Sequence, residues 1–177
     1  MRASLIAVIA CIGLPFTSLA TDASAVALTP AQSAAIDKFI ATQEIRRDRK
    51  HPSLNLLEYR DARSYVVGAI GSPAIPVVVV QYTLEGGNRW ELYIAVFERA
   101  TMQHRAHTRV GAKGQRSATL TRAVPAGGIE LDTLYYGDGD ALCCPSVPGS
   151  TSYELDGTSL QESEVRIDCS ARKEAPK

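Results

Sequence analysis

Two periodicities divide this chain. From Thr29 onward the apolar residues Ile36, Phe39 and Ile40 fall at the i, i+3, i+4 spacing of a single helical face. Thr29 is a good N-cap and Pro30 suits the first helical position. The spacing predicts a helix from about Pro30 to Arg46. Arg46, Arg47, Arg49 and Lys50 suit its carboxyl end, and Pro52 blocks further helix by disfavouring that geometry at His51.

Beyond Leu54 the period falls to two. Ser64 to Ile70 and Val77 to Thr83 are rich in β-branched and aromatic residues, with the breakers Gly71-Ser72-Pro73 and Pro76 between them. The unbroken run Val77-Val78-Val79-Val80 predicts a strand buried on both faces. Glu85-Gly86-Gly87-Asn88 is a hairpin signal, after which Trp90, Leu92, Ile94 and Val96 alternate with Arg89, Glu91, Tyr93 and Ala95, the first set pointing inward. Further strands are expected at about 104–110, 116–123 and 128–136, and a last hairpin of Ser152 to Asp156 and Ser159 to Ser163 turns about Asp156-Gly157. Every connection is short, which favours an antiparallel meander over βαβ crossovers. The expected fold is mainly β: an amino-terminal helix packed on an antiparallel sheet of about seven or eight strands, curled into a sandwich or open barrel.

Composition adds a destination. Arg2, the apolar run Ala3 to Leu14 and the small residues of Ser18-Leu19-Ala20 have the three-part form of a secretory signal. The expected organisation is therefore a leader over residues 1–20, a loosely held mature amino terminus over 21–28, one helix-plus-β domain over 29–169 and a tail over 170–177. A rival reading makes Cys11 a lipidation site and the protein lipid-anchored. The apolar run is shorter than the about 20 residues a membrane span needs, so the expected location is the periplasm or the exterior. The 19 basic and 19 acidic residues balance, and loss of Arg2 with the leader leaves one acid in excess. Without a basic face the chain lacks the electrostatic attraction on which phosphate-backbone binding depends, which argues against nucleic acid as a partner. Arg46 to His51 is the only basic patch and reads as a solvated helix end.

The run Asp138-Gly139-Asp140-Ala141-Leu142-Cys143-Cys144-Pro145-Ser146 is the most distinctive segment. Together with the alternating strand from Ile129, Tyr153-Glu154-Leu155-Asp156-Gly157 and Leu160, it resembles the carboxyl-terminal signature of LppP/LprE-type lipoproteins and related bacterial exported proteins. The valine-rich strand leading to a Trp-containing one, Val77 to Phe97, is similar to the same proteins. This resemblance implies an exported β protein and carries over no catalytic residue. It is the dicysteine motif that is specific.

Three cysteines, Cys143, Cys144 and Cys169, remain after loss of the leader, in a compartment where pairing is expected. The favoured bridge joins Cys169 to Cys144 or Cys143, closing a loop of about 25 residues worth roughly 3 kcal/mol. The alternatives are a vicinal Cys143–Cys144 bond, which demands a strained eight-membered ring, and a reactive thiol or redox pair.

Other chemistry is sparse. Asp138, Asp140 and Asp132 have carboxylates for calcium, but the residues after them are unlike an EF-hand loop and favour a solvated turn. His104 and His107, three apart in a strand, are expected on opposite faces and therefore not on one metal ion. No Ser/His/Asp set or phosphate loop is recognisable, and Glu85, Glu91, Glu98 and Glu130 lie on or beside different strands. No catalytic residue, metal or cofactor is expected. The expected role is non-enzymatic binding, in the manner of an inhibitor or immunity protein, of another envelope protein through the loop Gly137 to Ser150. Tyr136, Asp138, Asp140 and Tyr153 are the candidate contacts, because tyrosine joins a large apolar face to a polar tip. Ser150-Thr151-Ser152-Tyr153 is faintly similar to the Ser-Gly-x-x-Tyr element of one lysozyme-inhibitor family, without its glycine. The alternatives are a thiol or redox protein using Cys143 and Cys144, and a structural envelope component.

Overall fold

The computed structural model describes residues 27–43, 57–125 and 128–167. The expected leader, Cys11, the basic patch with His51, Cys169 and the tail lie outside the described residues. One helix, α1 (Pro30–Gln43), precedes eight strands: β1 (Glu58–Ile70), β2 (Ile75–Gly86), β3 (Arg89–Glu98), β4 (His104–Ala112), β5 (Arg116–Val124), β6 (Gly128–Tyr135), β7 (Val147–Asp156) and β8 (Ser159–Ile167). They form one antiparallel sheet in sequence order, with β1 and β8 unpaired to each other. No helix among the described residues is long and apolar enough to cross a membrane.

The meander folds over on itself. β4 and β5 pair only at Ala112 and Arg116, so the sheet hinges there into a β1–β4 layer and a β5–β8 layer. The apolar core between them draws Val77, Val79, Ile94 and Val96 from the first layer and Leu120, Ile129 and Leu131 from the second. A second core lies on the outer side of the first layer, where Val78, Val80 and Phe97 meet Ile36 and Ile40 of α1. The valine run is therefore buried on both faces, its alternate residues entering different cores. Each such side chain contributes about 1.5–3 kcal/mol of burial.

Leaving β4 costs β5 a pairing partner along most of its length, and the other layer supplies substitutes. The Gln81 amide donates to the Ala118 carbonyl (2.9 Å), and its oxygen accepts from the Leu120 N–H (2.5 Å), satisfying the groups a neighbouring strand would have taken. Further along, β1 crosses β5 so closely that a Cβ on Gly68 would lie 2.3 Å from the Ala123 carbonyl oxygen. Only glycine fits that crossing.

Thr29 caps α1 as expected: its hydroxyl accepts from the Gln32 N–H (3.2 Å), and the Gln32 side chain accepts in return from the Thr29 N–H (3.0 Å). Arg63 of β1 donates to Asp37 and to the Ser33 hydroxyl, holding the helix across the sheet.

Candidate functional site

The dicysteine loop connects β6 to β7 and is shorter than expected. Val147 to Ser150 are not loop but strand, paired with Tyr135 to Asp132. Pro148, Gly149 and Ser150 look like breakers, yet Val147, Thr151 and Tyr153 bury at period two and their burial prevails. The true excursion, Tyr136 to Ser146, is tied from within. One Asp140 oxygen accepts the N–H groups of Gly137 (2.7 Å) and Ser146 (2.9 Å), and the other accepts the Ser146 hydroxyl (2.9 Å). These bonds, that from Gly137 foremost, hold the Asp140 carboxyl below the usual carboxylate range. Gly139 takes a φ of +93°, which the reversal requires. The Tyr136 hydroxyl donates to the Leu142 carbonyl (2.5 Å) and accepts from the Gly114 N–H (3.1 Å), fastening the loop to the β4–β5 turn.

At its apex Cys143 is bonded to Cys144. This replaces the expected bridge from Cys169, since each sulfur of the pair is spent on its neighbour. Both cysteines are solvent-exposed, as is Leu142 at 65%.

Beneath the apex lies a cleft of about 480 Å³, open to solvent. Two cross-strand pairs on the inward face of β2 and β3, Thr83 with Leu92 and Glu85 with Trp90, make one side. A third pair, Ser117 of β5 with Leu134 of β6, makes another, and Cys143, Cys144 and Pro145 form the roof. Among the described residues, no side-chain hydrogen bond engages the Thr83 or Ser117 hydroxyl, the Glu85 carboxylate or the Trp90 indole N–H. Apolar walls thus alternate with polar groups unspent on the protein.

Of the four candidate contacts, Asp140 is consumed in building the loop, Tyr136 is half-buried in fastening it, and Asp138 is exposed on it. Tyr153 is not on the loop surface. It is 3% exposed, and its hydroxyl accepts from Arg116 (2.6 Å) and donates to Glu162 (2.8 Å). Arg116 also pairs with Glu162 and donates to the Val110 carbonyl (2.7 Å), while the Tyr135 hydroxyl bonds Thr151 (2.9 Å) beside it. Burial raises the Tyr153 hydroxyl pKa, reinforced by the Glu162 carboxylate. The hydrogen bond from Arg116 lowers Glu162. Asp132 stands exposed on β6, away from the loop carboxylates on its outward face.

The histidines break the rule of alternation. The register of β3 against β4 slips between Val96–Ala106 and Phe97–His104, a bulge that puts an extra residue between the two imidazoles. Both consequently face Phe39, which stacks on His104 at 4.2 Å and meets His107 edge-on at 5.6 Å, the imidazoles being 5.2 Å apart. His104 is half-buried rather than a surface group; desolvation, and then the neighbouring His107, lower its pKa. No group of three metal-binding side chains occurs among the described residues.

Glu91, whose pairing the sequence left unreadable, is 2% exposed. It accepts from Tyr93 (2.5 Å), Arg89 and Arg109 (3.4 Å). Burial pushes its carboxyl up, but the Tyr93 and Arg89 hydrogen bonds and the two arginine charges prevail and hold it low. Its alternation with Trp90 was the available signal: with Trp90 inward, Glu91 must face the helix side.

Comparison with protein-family models, curated proteins and solved structures gave no match to this chain.

Proposed function

We propose that this chain is an exported envelope protein that binds a ligand without transforming it, and that its site is the cleft beneath Cys143–Cys144. One observation carries the reading: four polar side chains and two apolar walls converge on a cavity whose roof is fixed by the disulfide and by Asp140. A few directed polar groups in an otherwise apolar concavity are the usual composition of a small-molecule site. Glu85 is the only charged side chain among the lining residues, so the cleft holds no second carboxylate or histidine for paired acid–base work, and among the described residues no hydrogen bond joins Glu85 to the Thr83 or Ser117 hydroxyl to activate a nucleophile. The leader-like first twenty residues and an oxidised cysteine pair support export.

A second reading draws on the exposure of both sulfurs: thiol–disulfide exchange at Cys143–Cys144. No cation lines the cleft to lower a thiolate's pKa, which favours binding over exchange. Docking of another envelope protein on the apex through Leu142 belongs to the binding reading and would cover the same mouth.

The test is a ligand-observed magnetic-resonance screen of soluble envelope and periplasmic extracts against the purified protein, repeated with Thr83→Trp, which fills the cleft. Ligands of the wild type should disappear in the variant. Ligands that persist would place the site elsewhere, and turnover of any of them would refute a purely binding role.

A further inference from the structure

We infer that the cleft takes a neutral sugar ring, an assignment that rests on the cleft being the binding site. Its lining is selective by what it contains and by what it lacks. A purely apolar ligand would strip water from Thr83, Glu85, Trp90 and Ser117 without replacing any hydrogen bond, which is unfavourable for each group left unpaired. An anion would meet the Glu85 carboxylate with no lysine, arginine or histidine in the lining to offset it. A quaternary or methylated cation is held by a cage of several aromatic rings, and Trp90 is the only aromatic here.

The remaining class is uncharged, flat on one side and hydroxylated around its edge. The indole of Trp90 offers a broad apolar face, and the joined sulfurs of Cys143 and Cys144 offer a second one that is polarisable and rotationally locked. A pyranose presents C–H groups to such faces. Around them, the indole N–H donates only, the Glu85 carboxylate accepts only, and the Thr83 and Ser117 hydroxyls do either. Sugar hydroxyls, themselves donors and acceptors, match that mixed set where a simple amine or acid would match half of it. The cavity, at about 480 Å³, lies within the range of about 300–1,000 Å³ usual for small-molecule sites.

The roof explains the dicysteine. A bridge to a distant cysteine would anchor the loop but leave its apex free to rotate, whereas the bond between neighbours fixes the surface that faces the ligand. Asp140 and Tyr136 then hold the loop that carries that surface over the cleft that Trp90 also lines.

Trp90 is the only tryptophan in the protein, so its emission reports the cleft alone. Maltotriose, cellotriose and tri-N-acetylchitotriose serve as neutral probes, trigalacturonic acid as the anionic one and cyclohexanol as an apolar ring. At least one neutral trisaccharide should change Trp90 emission saturably, and bind at least tenfold more tightly than cyclohexanol or trigalacturonate. Glu85→Gln and Ser117→Ala should each weaken it by roughly tenfold, as expected for lost ligand hydrogen bonds. Cyclohexanol binding as tightly as every sugar, or no response to any of the three neutral sugars, overturns the sugar assignment. The cleft reading falls as well only if the ligands found by the extract screen also survive in Thr83→Trp. An unaltered sugar affinity in both Glu85→Gln and Ser117→Ala would likewise overturn the assignment.

Discussion

Arg116 and Ser117 are neighbours on β5, and alternation turns their side chains to opposite sides of the strand. Arg116 enters a constellation in which the polar groups are bonded to one another: Tyr153, Glu162 and the Val110 carbonyl, with Tyr135 and Thr151 alongside. Ser117 enters one in which no side-chain polar group is bonded to the protein. Both combine hydroxyls, at least one aromatic side chain and a carboxylate, so residue types alone do not separate them. What separates them is satisfaction. A closed network has its hydrogen-bonding capacity committed to the fold and stabilises the hinge where β4 hands over to β5. An open set has its capacity in reserve, and a ligand is what such a reserve can serve.

The sharpest way to break this contrast is to remove the cation that closes the network. Arg116→Ala should destabilise the protein by about 2–3 kcal/mol, mostly through the lost bonds to Tyr153 and the Val110 carbonyl, since the pair with Glu162, 36% exposed, is partly screened by solvent. Urea unfolding measures it. The same experiment on Ser117→Ala or Glu85→Gln should move stability by no more than about 0.5 kcal/mol, since neither side chain holds anything in place. Equal losses on the two sides would mean that the cleft is structural too.

Tyr153→Phe is the next largest and separates the network from the loop surface. Loss of a hydroxyl that both accepts from Arg116 and donates to Glu162 should cost about 1–2 kcal/mol of stability. Ligand affinity should stay unchanged, because the ring lies in the core. Lost affinity with unchanged stability would return Tyr153 to the binding surface where the sequence had placed it.

That misplacement shows what could be read in advance. The helix face, the doubly buried valines, the inward set from Trp90 to Val96 and the meander order all follow from local periodicity and short turns, which act over a few residues. The cross-strand pairing of Glu85 with Trp90 was implicit in the Gly86-Gly87-Asn88 turn. Three things were not legible, each for a long-range reason. The β4 bulge that gathers His104 and His107 is a matter of register between strands. The start of β7 at Val147 is decided by burial against the other layer, which outweighs the breaker residues after it. The joining of Ser117 and Leu134 to the β2–β3 hairpin, like the Arg116–Glu162 pair, exists only once the sheet folds over at Ala112 and Arg116.

The network also has a pH signature of defined sign. Its hydrogen bond from Arg116 lowers the folded pKa of Glu162 below the unfolded value of about 4.3. The associated stability is therefore fully present above that unfolded value and is lost as pH falls through the folded one. Wild type and Glu162→Gln should differ in urea midpoint at pH 7 and converge toward pH 3. A constant difference across that range would show that the glutamate contributes by packing and not by charge.

A modest expected effect on stability belongs to the roof of the cleft, and it carries the most information about function. A bond between adjacent cysteines closes the shortest possible loop, so in the chain-entropy account replacing both by alanine should cost only about 1 kcal/mol, against roughly 3 kcal/mol for the bridge expected from Cys169. Trp90 shares the cleft with that disulfide, and a disulfide close to an indole quenches its emission. Reduction, or Cys143→Ala with Cys144→Ala, should therefore brighten Trp90 while the urea midpoint falls by only about 0.5 M. Ligand affinity should fall in the same samples, because the roof regains its rotational freedom. A large stability loss without a change in Trp90 emission would make the pair a structural staple distant from the indole, and would leave the two sides of β5 alike.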